Sequence, residues 1–407
     1  MYNPPRCLEG GRALSGTVVP IITQTRDPGP ACPAPEGARG ETLRTVARLA
    51  AVVAALYVFL ASMRLLGFGF ERLGGSFSQN LIATTSHPFV ALFVGLLATS
   101  IVQSSSITTS TVVGLVSAGL LSIRNAVPII MGANIGTTVT CTIVSLGHIG
   151  RPAEFRRAYA AATVHDFFNI LTVLCIFPLE LATGWVSRAA TTLANALAGG
   201  RSLEFGGPIK LLIDPAAKRV FALLEQAFSG HAPAAAVVLG FALLFGSLTL
   251  LVSHTRALAT GRAEAALDRI LGRGGPLGIL VGLAVTGTIQ SSSVTTSLLV
   301  PLAGAGIVSL EQVYPVALGA NIGTTVTALL ASLAGDVRGL AVALTHTIFN
   351  VVGVLIFYPA RPLRRIPMFL ARQLADAAVR SRRNVVFFVV GVFYAVPLAL
   401  ILIDRLR

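Results

Sequence analysis

Residues 88–123 read PFVALFVGLLATSIVQSSSITTSTVVGLVSAGLLSI, 36 residues without one charged side chain. A straight helix of that length would extend ~54 Å, against a hydrocarbon core of ~30 Å. A single spanning helix does not fit. The middle of the stretch, Gln103-Ser104-Ser105-Ser106 followed by Thr108-Thr109-Ser110-Thr111, is polar. Two half-helices meeting at a break deep in a membrane satisfy both facts. Such a break is tolerated only where protein or a watery cavity satisfies the opened backbone.

The stretch has a twin. Sliding residues 95–147 by 187 positions onto 282–334 gives 27 identities in 53. Gln103-Ser-Ser-Ser falls on Gln290-Ser-Ser-Ser, Thr108-Thr109-Ser110 on Thr295-Thr296-Ser297, and Gly132-Ala-Asn-Ile-Gly-Thr-Thr-Val-Thr140 on Gly319 to Thr327. After a six-residue deletion the match resumes at an offset of 181, with Arg157, His165 and Asn169 on Arg338, His346 and Asn350. The unit is a broken helix, a second broken helix and a spanning helix, used twice. Duplicated units with interrupted helices at corresponding positions point to a secondary transporter whose substrate site lies at the repeat interface.

Composition agrees. Of 407 residues 54% are hydrophobic and 12% charged, with a mean hydropathy of +0.78, against roughly 25% charged in an ordinary soluble domain. A soluble enzyme, a nucleic-acid-binding protein and a disulfide-stapled secreted domain are all excluded. The net charge of +14 belongs instead to cytoplasmic loops and to contact with anionic membrane lipid. Cys7, Cys32, Cys141 and Cys175 show no C-x-x-C spacing, so they imply neither a metal site nor a disulfide framework.

The expected organisation is an all-α polytopic transmembrane bundle. Residues 1–43 hold seven Pro and six Gly within their first 40 positions and read as a flexible tail. Residues 44–198 form the first transmembrane repeat, 199–231 a short extracytoplasmic loop, 232–360 the second repeat, 361–383 an amphipathic cytoplasmic segment and 384–407 a terminal transmembrane helix. Residues 361–383 carry seven Arg against Asp376, whereas 199–231 carry four basic and three acidic residues, so the first of these belongs inside the cell. Residues 256–273 give a weaker amphipathic pattern.

Three motifs carry chemistry. Gln103 to Ser106 and Gln290 to Ser293 offer hydroxyl and amide donors without fixed charge at half-helix N-termini, which suits an oxyanion. Their plain alternative is hydroxyls bonding back to the helix and small side chains packing closely. Gly132/Gly136 and Gly319/Gly323 satisfy the helix-packing spacing G-x-x-x-G. Packing alone does not require Asn134, Thr137, Thr138 and Thr140, or Asn321, Thr324, Thr325 and Thr327, whose oxygens suit a small cation such as Na⁺. Asp166 lies inside an apolar span, where an ionisable group is a functional candidate by default. It faces a cavity or a cation, or it pairs with His165 or an Arg; its counterpart in the second repeat is Thr347.

Together these residues, with the stretch Glu154-Phe-Arg-Arg-Ala-Tyr-Ala-Ala-Ala-Thr-Val-His-Asp-Phe-Phe-Asn169 and His346-Thr-Ile-Phe-Asn350, resemble the type II sodium/phosphate cotransporter family from about Leu43 to Leu406. The resemblance implies inverted repeats, alternating access and sodium-driven symport of inorganic phosphate, chiefly HPO₄²⁻. It implies sodium as the co-transported ion, with no organic cofactor. Phosphate is expected at Gln103, Ser104, Ser105, Ser106, Gln290, Ser291, Ser292 and Ser293, and sodium at Asn134, Thr137, Asp166, Asn321, Thr324 and Thr327, with help from Ser291 to Ser293. Ala160, Ala162 and Asp166 stand at the spacing of electrogenic relatives. His148 and Arg151 depart from the family's loop pattern. The Ala- and Arg-rich composition suggests a bacterial protein of the cytoplasmic membrane. A sodium- or proton-coupled carrier of another oxyanion such as sulfate is the alternative. A membrane phosphotransferase is a weaker one, because no base neighbours either serine run and no acidic cluster assists.

Overall fold

The computed structural model describes residues 37–73, 87–198, 207–270 and 275–405, and no strand occurs among them. The chain divides into two compact units, Met1–Arg44 and Thr45–Arg407. The second unit holds both repeats. Among the described residues seven helices are long and apolar enough to cross a membrane, over Leu43–Arg72, Ile123–His148, Pro152–Thr183, Ala232–Leu258, Leu310–Ser332, Val337–Phe357 and Arg383–Asp404.

Helix α1 runs Gly37–Arg72, so it begins inside the segment expected as a tail; the rest of that tail, residues 1–36, lies outside the described residues. Ala38, Arg39, Glu41, Leu43 and Arg44 are adequate helix formers without proline, and a helix nucleated by the apolar span propagates back through them.

The long apolar stretch breaks where its polar centre predicts. Helix α2, Pro88–Val102, ends at Gln103, and α3, Ser105–Ser117, restarts two residues later. At 15 residues, α2 extends ~22 Å and cannot cross the core alone. Helix α4, Ile123–Gly136, then packs on α2. A Cβ on Gly132 would overlap the Leu92 carbonyl oxygen, so this contact needs glycine. Ile129 lies against Gly95, Gly132 against Leu96, and Gly136 against Thr99. Contact advances along both helices together, so α2 and α4 are parallel, and α3 between them doubles back. The broken helix is a re-entrant hairpin.

A brief interruption at Thr137 and Thr138 separates α4 from α5, Val139–Ser145; α6, Pro152–Thr183, and α7, Trp185–Leu197, follow. Residues 199–231, expected as a loop, contain α8, Gly207–Phe228. Their balanced charge conceals a stripe at i, i+4 spacing, Ile213, Ala217 and Phe221, which is buried and defines a helix face. Asp214 of α8 pairs with Arg64 of α1 at 2.7 Å. Helix α9, Ala232–Ile270, is continuous, so the weaker amphipathic segment at 256–273 extends that helix as far as Ile270. Residues 271–273 lie outside the described residues.

The second repeat reuses the design. Helices α10, Pro276–Ile289, and α11, Ser292–Ala305, form the second hairpin. Helix α12, Leu310–Ser332, lies parallel to α10, with Gly282 against Val316, Gly319 against Leu283 and Gly323 against Thr286. One expectation is corrected here: α12 is unbroken, whereas its counterpart α4–α5 is interrupted. Both carry Gly-Thr-Thr-Val-Thr, so tertiary surroundings rather than propensity decide the difference. Where the first repeat opens, the Thr137 carbonyl accepts from Ser293 Oγ at 3.3 Å. Helix α13, Val337–Phe357, completes the repeat, α14, Arg361–Arg380, packs on α6, and α15, Arg383–Val390, continues through a π turn at Gly391–Ala395 into α16, Val396–Arg405.

Candidate functional site

Each hairpin tip is built the same way. Gln103 and Gln290 adopt left-handed backbone, φ 59° and 61°, and are the only non-glycine residues with positive φ among those described. Such a conformation costs on the order of 1–2 kcal/mol in a residue bearing a Cβ, and strain of this kind clusters at functional sites. The next residue turns extended and caps the second arm: Ser104 Oγ accepts from Ile107 N at 3.4 Å and Ser291 Oγ from Val294 N at 3.3 Å. A hydroxyl pair ties the two arms of each hairpin, Thr99 to Thr108 at 2.9 Å and Thr286 to Thr295 at 2.8 Å.

The two tips meet. Ser106 Oγ lies 3.4 Å from the Gln290 carbonyl oxygen and 3.5 Å from Thr327 Oγ1, while Ser293 Oγ donates to Thr137 O. Thr140 Oγ1 donates to Gln103 Oε1 at 2.8 Å. The N-termini of α3 and α11 are thereby brought together, and each presents first-turn N–H groups without an intrahelical acceptor and a positive dipole end. Gln103, Ser104, Ser291 and Ser293 keep partial solvent exposure, while Ser105, Ser106, Gln290 and Ser292 are buried. Back-bonding is also present, as in Thr109 to Ser106 O and Thr296 to Ser292 O, but it uses the second turn and leaves the tip hydroxyls to the interface.

Below the tips the repeats are braced reciprocally. His165 Nε2 of α6 pairs with Asn321 Oδ1 of α12, and His346 Nε2 of α13 lies 3.2 Å from Asn134 Oδ1 of α4. Asn321 Nδ2 donates to Asn169 Oδ1 at 2.6 Å, Asn169 Nδ2 to Asn134 O at 2.8 Å, and Asn350 Nδ2 to Asn134 Oδ1 at 3.3 Å. The Asn134 side-chain oxygen thus receives two partners in this conformation. Thr324 Oγ1 bonds back to Ala320 O and Thr137 Oγ1 to Ala133 O.

Asp166 is different. It is fully buried and neither carboxylate oxygen has a hydrogen-bond partner. His165, one of its expected partners, is engaged by Asn321. The Thr138 hydroxyl lies beside the carboxyl but donates to Ile135 O at 3.1 Å, and the interrupted α4–α5 junction passes the same point. A buried acid without a partner is a hard-oxygen ligand for a small cation; the Thr137 and Thr138 carbonyls at the junction accept from Ser293 Oγ and Cys141 N.

Two arginines outside the three motifs tie the repeats together. Arg157 at the start of α6 donates from Nη2 to Gly304 O at 2.6 Å and from Nε to Gly304 O and Ala303 O, closing the C-terminus of α11. Arg338 at the start of α13 donates to Ser117 O at 3.2 Å, closing α3. Their matched positions in the repeat were the available signal. Cys141 Sγ, 2.9 Å from Thr296 Oγ1, adds another inter-repeat contact that no motif announced. His148 and Arg151, the departures in the loop, both bind Glu154.

Residues 58–199 and 242–372 match the family model described as Na+/Pi-cotransporter. The chain belongs to this family. Among curated relatives, sodium-dependent phosphate transport protein 2B of Pongo abelii is 31% identical across 87% of this chain and 65% of its own length. The human 2B protein is 31% identical across 87% and 64%, and the 2A protein of Ovis aries is 33% identical across 87% and 67%. The chain therefore spans about 65% of the length of such Na+/Pi-cotransporter family members. No solved structure matches it.

Proposed function

We propose that this multi-pass membrane protein is a sodium-coupled symporter that carries inorganic phosphate, chiefly HPO₄²⁻, into a bacterial cell across the cytoplasmic membrane. The observation that carries the reading is the meeting of the two Gln-Ser-Ser-Ser tips, Ser106 against the Gln290 carbonyl. Two helix N-termini and a set of neutral donors converge there, a combination that holds a dianion without fixed positive charge and so also releases it. Gln103 to Ser106 and Gln290 to Ser293 are assigned to phosphate.

Sodium is assigned first to Asp166 with the opened backbone at Thr137 and Thr138, and second to Thr324 and Thr327 beside the serine tips. Asn134 and Asn321 act in this reading as braces that set the position of those oxygens. Ordering of Asp166 by sodium precedes docking of phosphate. Each net charge moved inward along the membrane potential gains ~2.3 kcal/mol per 100 mV, which makes an electrogenic cycle effective.

Counting crossings supports opposite orientation of the repeats. Two crossings, α6 and α9, lie between α4–α5 and α12, and both hairpins return to the face they leave, so the equivalent helices run in opposite senses. With the Arg-rich α14 inside, α1 starts inside and α16 ends outside. Alternating access then follows from rocking one repeat against the other.

Radiolabelled phosphate uptake into proteoliposomes tests the assignment. Uptake is expected to require an inward sodium gradient, to stop when choline replaces sodium, and to be inhibited by arsenate and not by sulfate. Sodium-independent uptake, or sulfate competing as well as arsenate, overturns it.

A further inference from the structure

Helix α14 is bracketed by two spans. The span α13 ends at Phe357 and the terminal span begins at Arg383, and only Tyr358–Ala360 and Ser381–Arg382 connect them to α14. Twenty residues of helix extend ~30 Å. Both ends are pinned to one face of the membrane, so the axis lies along that face at headgroup depth.

Around this axis the side chains form three sectors. Pro367, Met368, Ala371, Ala375 and Ala378 are buried against the bundle. Leu363, Ile366 and Phe369 are 37%, 39% and 55% exposed and make an apolar ridge turned away from the protein. The third sector is cationic. Arg372 is held by Glu311, the Asp376 carboxylate by Arg156, and Arg364 lies over the Tyr358 ring at 5.4 Å. Arg361, Arg365 and Arg383 are exposed, and none makes an ion pair among the described residues.

Unpaired guanidinium groups beside an apolar ridge, both at headgroup depth, complement an amphiphile of opposite charge: acyl chain on the ridge, anionic headgroup on the forks of arginine. We infer that α14 together with Arg383 is a binding surface for anionic phospholipid of the cytoplasmic leaflet. A free phosphate ion matches the arginines but not the ridge, and a protein partner would have to enter the acyl region to reach Ile366 and Phe369. The inference rests on the membrane location of the chain and not on what the chain transports.

The test uses the purified full-length chain, stripped of lipid and equilibrated with mixed detergent micelles holding equal phosphatidylglycerol and phosphatidylcholine, with retained lipid counted by mass spectrometry. The wild type is expected to enrich phosphatidylglycerol, and the enrichment is expected to fall by roughly fivefold for each guanidinium removed in Arg361→Gln, Arg365→Gln and Arg383→Gln, in line with the typical worth of one basic residue at an anionic surface. Ile366→Ser with Phe369→Ser, which keeps every arginine, is expected to lower retention of both lipids. Arg72→Gln with Arg188→Gln, two arginines remote from α14, is expected to leave enrichment unchanged. Equal retention of the two lipids by the wild type overturns the inference, as does full displacement of phosphatidylglycerol by excess inorganic phosphate, or unchanged enrichment in the folded triple variant.

Discussion

Arg157 reaches from the first repeat to the end of the second hairpin, where its Nη2 sits 2.6 Å from the Gly304 carbonyl oxygen. Its repeat mate Arg338 makes one such bond, to Ser117 O, and is also paired with Asp336 at 2.7 Å. Arg157→Gln removes charge-assisted bonds to two terminal carbonyls, a loss of ~1.5–3 kcal/mol each at most. It is expected to lower the melting temperature in detergent more than Arg338→Gln does. Equal shifts for the two variants would contradict the clamp described for Arg157.

The hydroxyl pairs inside the hairpins make a clean thermodynamic cycle. Thr99→Val removes the bond that Thr99 donates to the buried Thr108 hydroxyl, which keeps its own bond to Ser104 O at 3.3 Å, a cost of about 0.5–1.5 kcal/mol, whereas changing both residues to Val removes both polar groups. The double variant is therefore expected to be less destabilised than the sum of the single ones, with a coupling of ~1 kcal/mol. Strict additivity in chemical or thermal unfolding would remove the pair from the structural account.

Asp166→Asn keeps the volume of the side chain and removes its charge. The protein is expected to insert and fold, because a buried carboxylate without a partner contributes no ion pair that could be lost. Sodium dependence of phosphate uptake is expected to shift to higher sodium by at least tenfold, equivalent to ~1.4 kcal/mol. An unchanged sodium titration in a transport-competent variant refutes the assignment of the first cation to this carboxyl.

Glycine substitutions separate close packing from mere sequence identity. Gly132→Ala and Gly319→Ala drive a methyl group into the carbonyls of Leu92 and Ile279, and are expected to cost 1–3 kcal/mol or more through forced backbone shifts, roughly the penalty of overpacking. Gly246→Ala meets nothing within 4 Å and is expected to be neutral or mildly stabilising. Expression level and melting temperature report the contrast.

The contact between α14 and α6 has a pH signature. Hydrogen bonding to Arg156 holds the Asp376 carboxyl below its ordinary value. A depressed carboxylate pKa contributes stability that is complete above the unfolded value of about 3.9 and is lost as pH falls through the lowered native one. Because the pair is solvent-exposed, its worth is below ~1 kcal/mol. Asp376→Asn is expected to be slightly less stable than the wild type at neutral pH and to converge with it in strong acid. A gap that persists in acid would assign the difference to packing.

Much of this was legible before any coordinates. Overlong apolar stretches with polar centres fixed the two breaks, because a length mismatch with the bilayer is decided by residue count alone. The repeat offset named the partners Arg157 and Arg338, but not their reciprocal contacts, since an offset reports equivalence and carries no distance. The side-chain oxygens of Asn134 and Asn321 suit a cation by their chemistry; in the fold they face His346 and His165, a pairing set by helix crossing and invisible in composition. The interruption at Thr137 and Thr138 without an equivalent in α12 was equally hidden, because identical sequences occupy both places. The helix at Gly207–Phe228 is masked by a balanced charge typical of loops and shows only in the apolar period of Ile213, Ala217 and Phe221.

The histidine and asparagine braces have an evolutionary corollary. Each histidine finds its asparagine only in the opposite half of the chain, so a half-length ancestor folding alone would have left those groups bare. A second copy of itself would have supplied the missing partners, which the two halves of one chain now supply to each other.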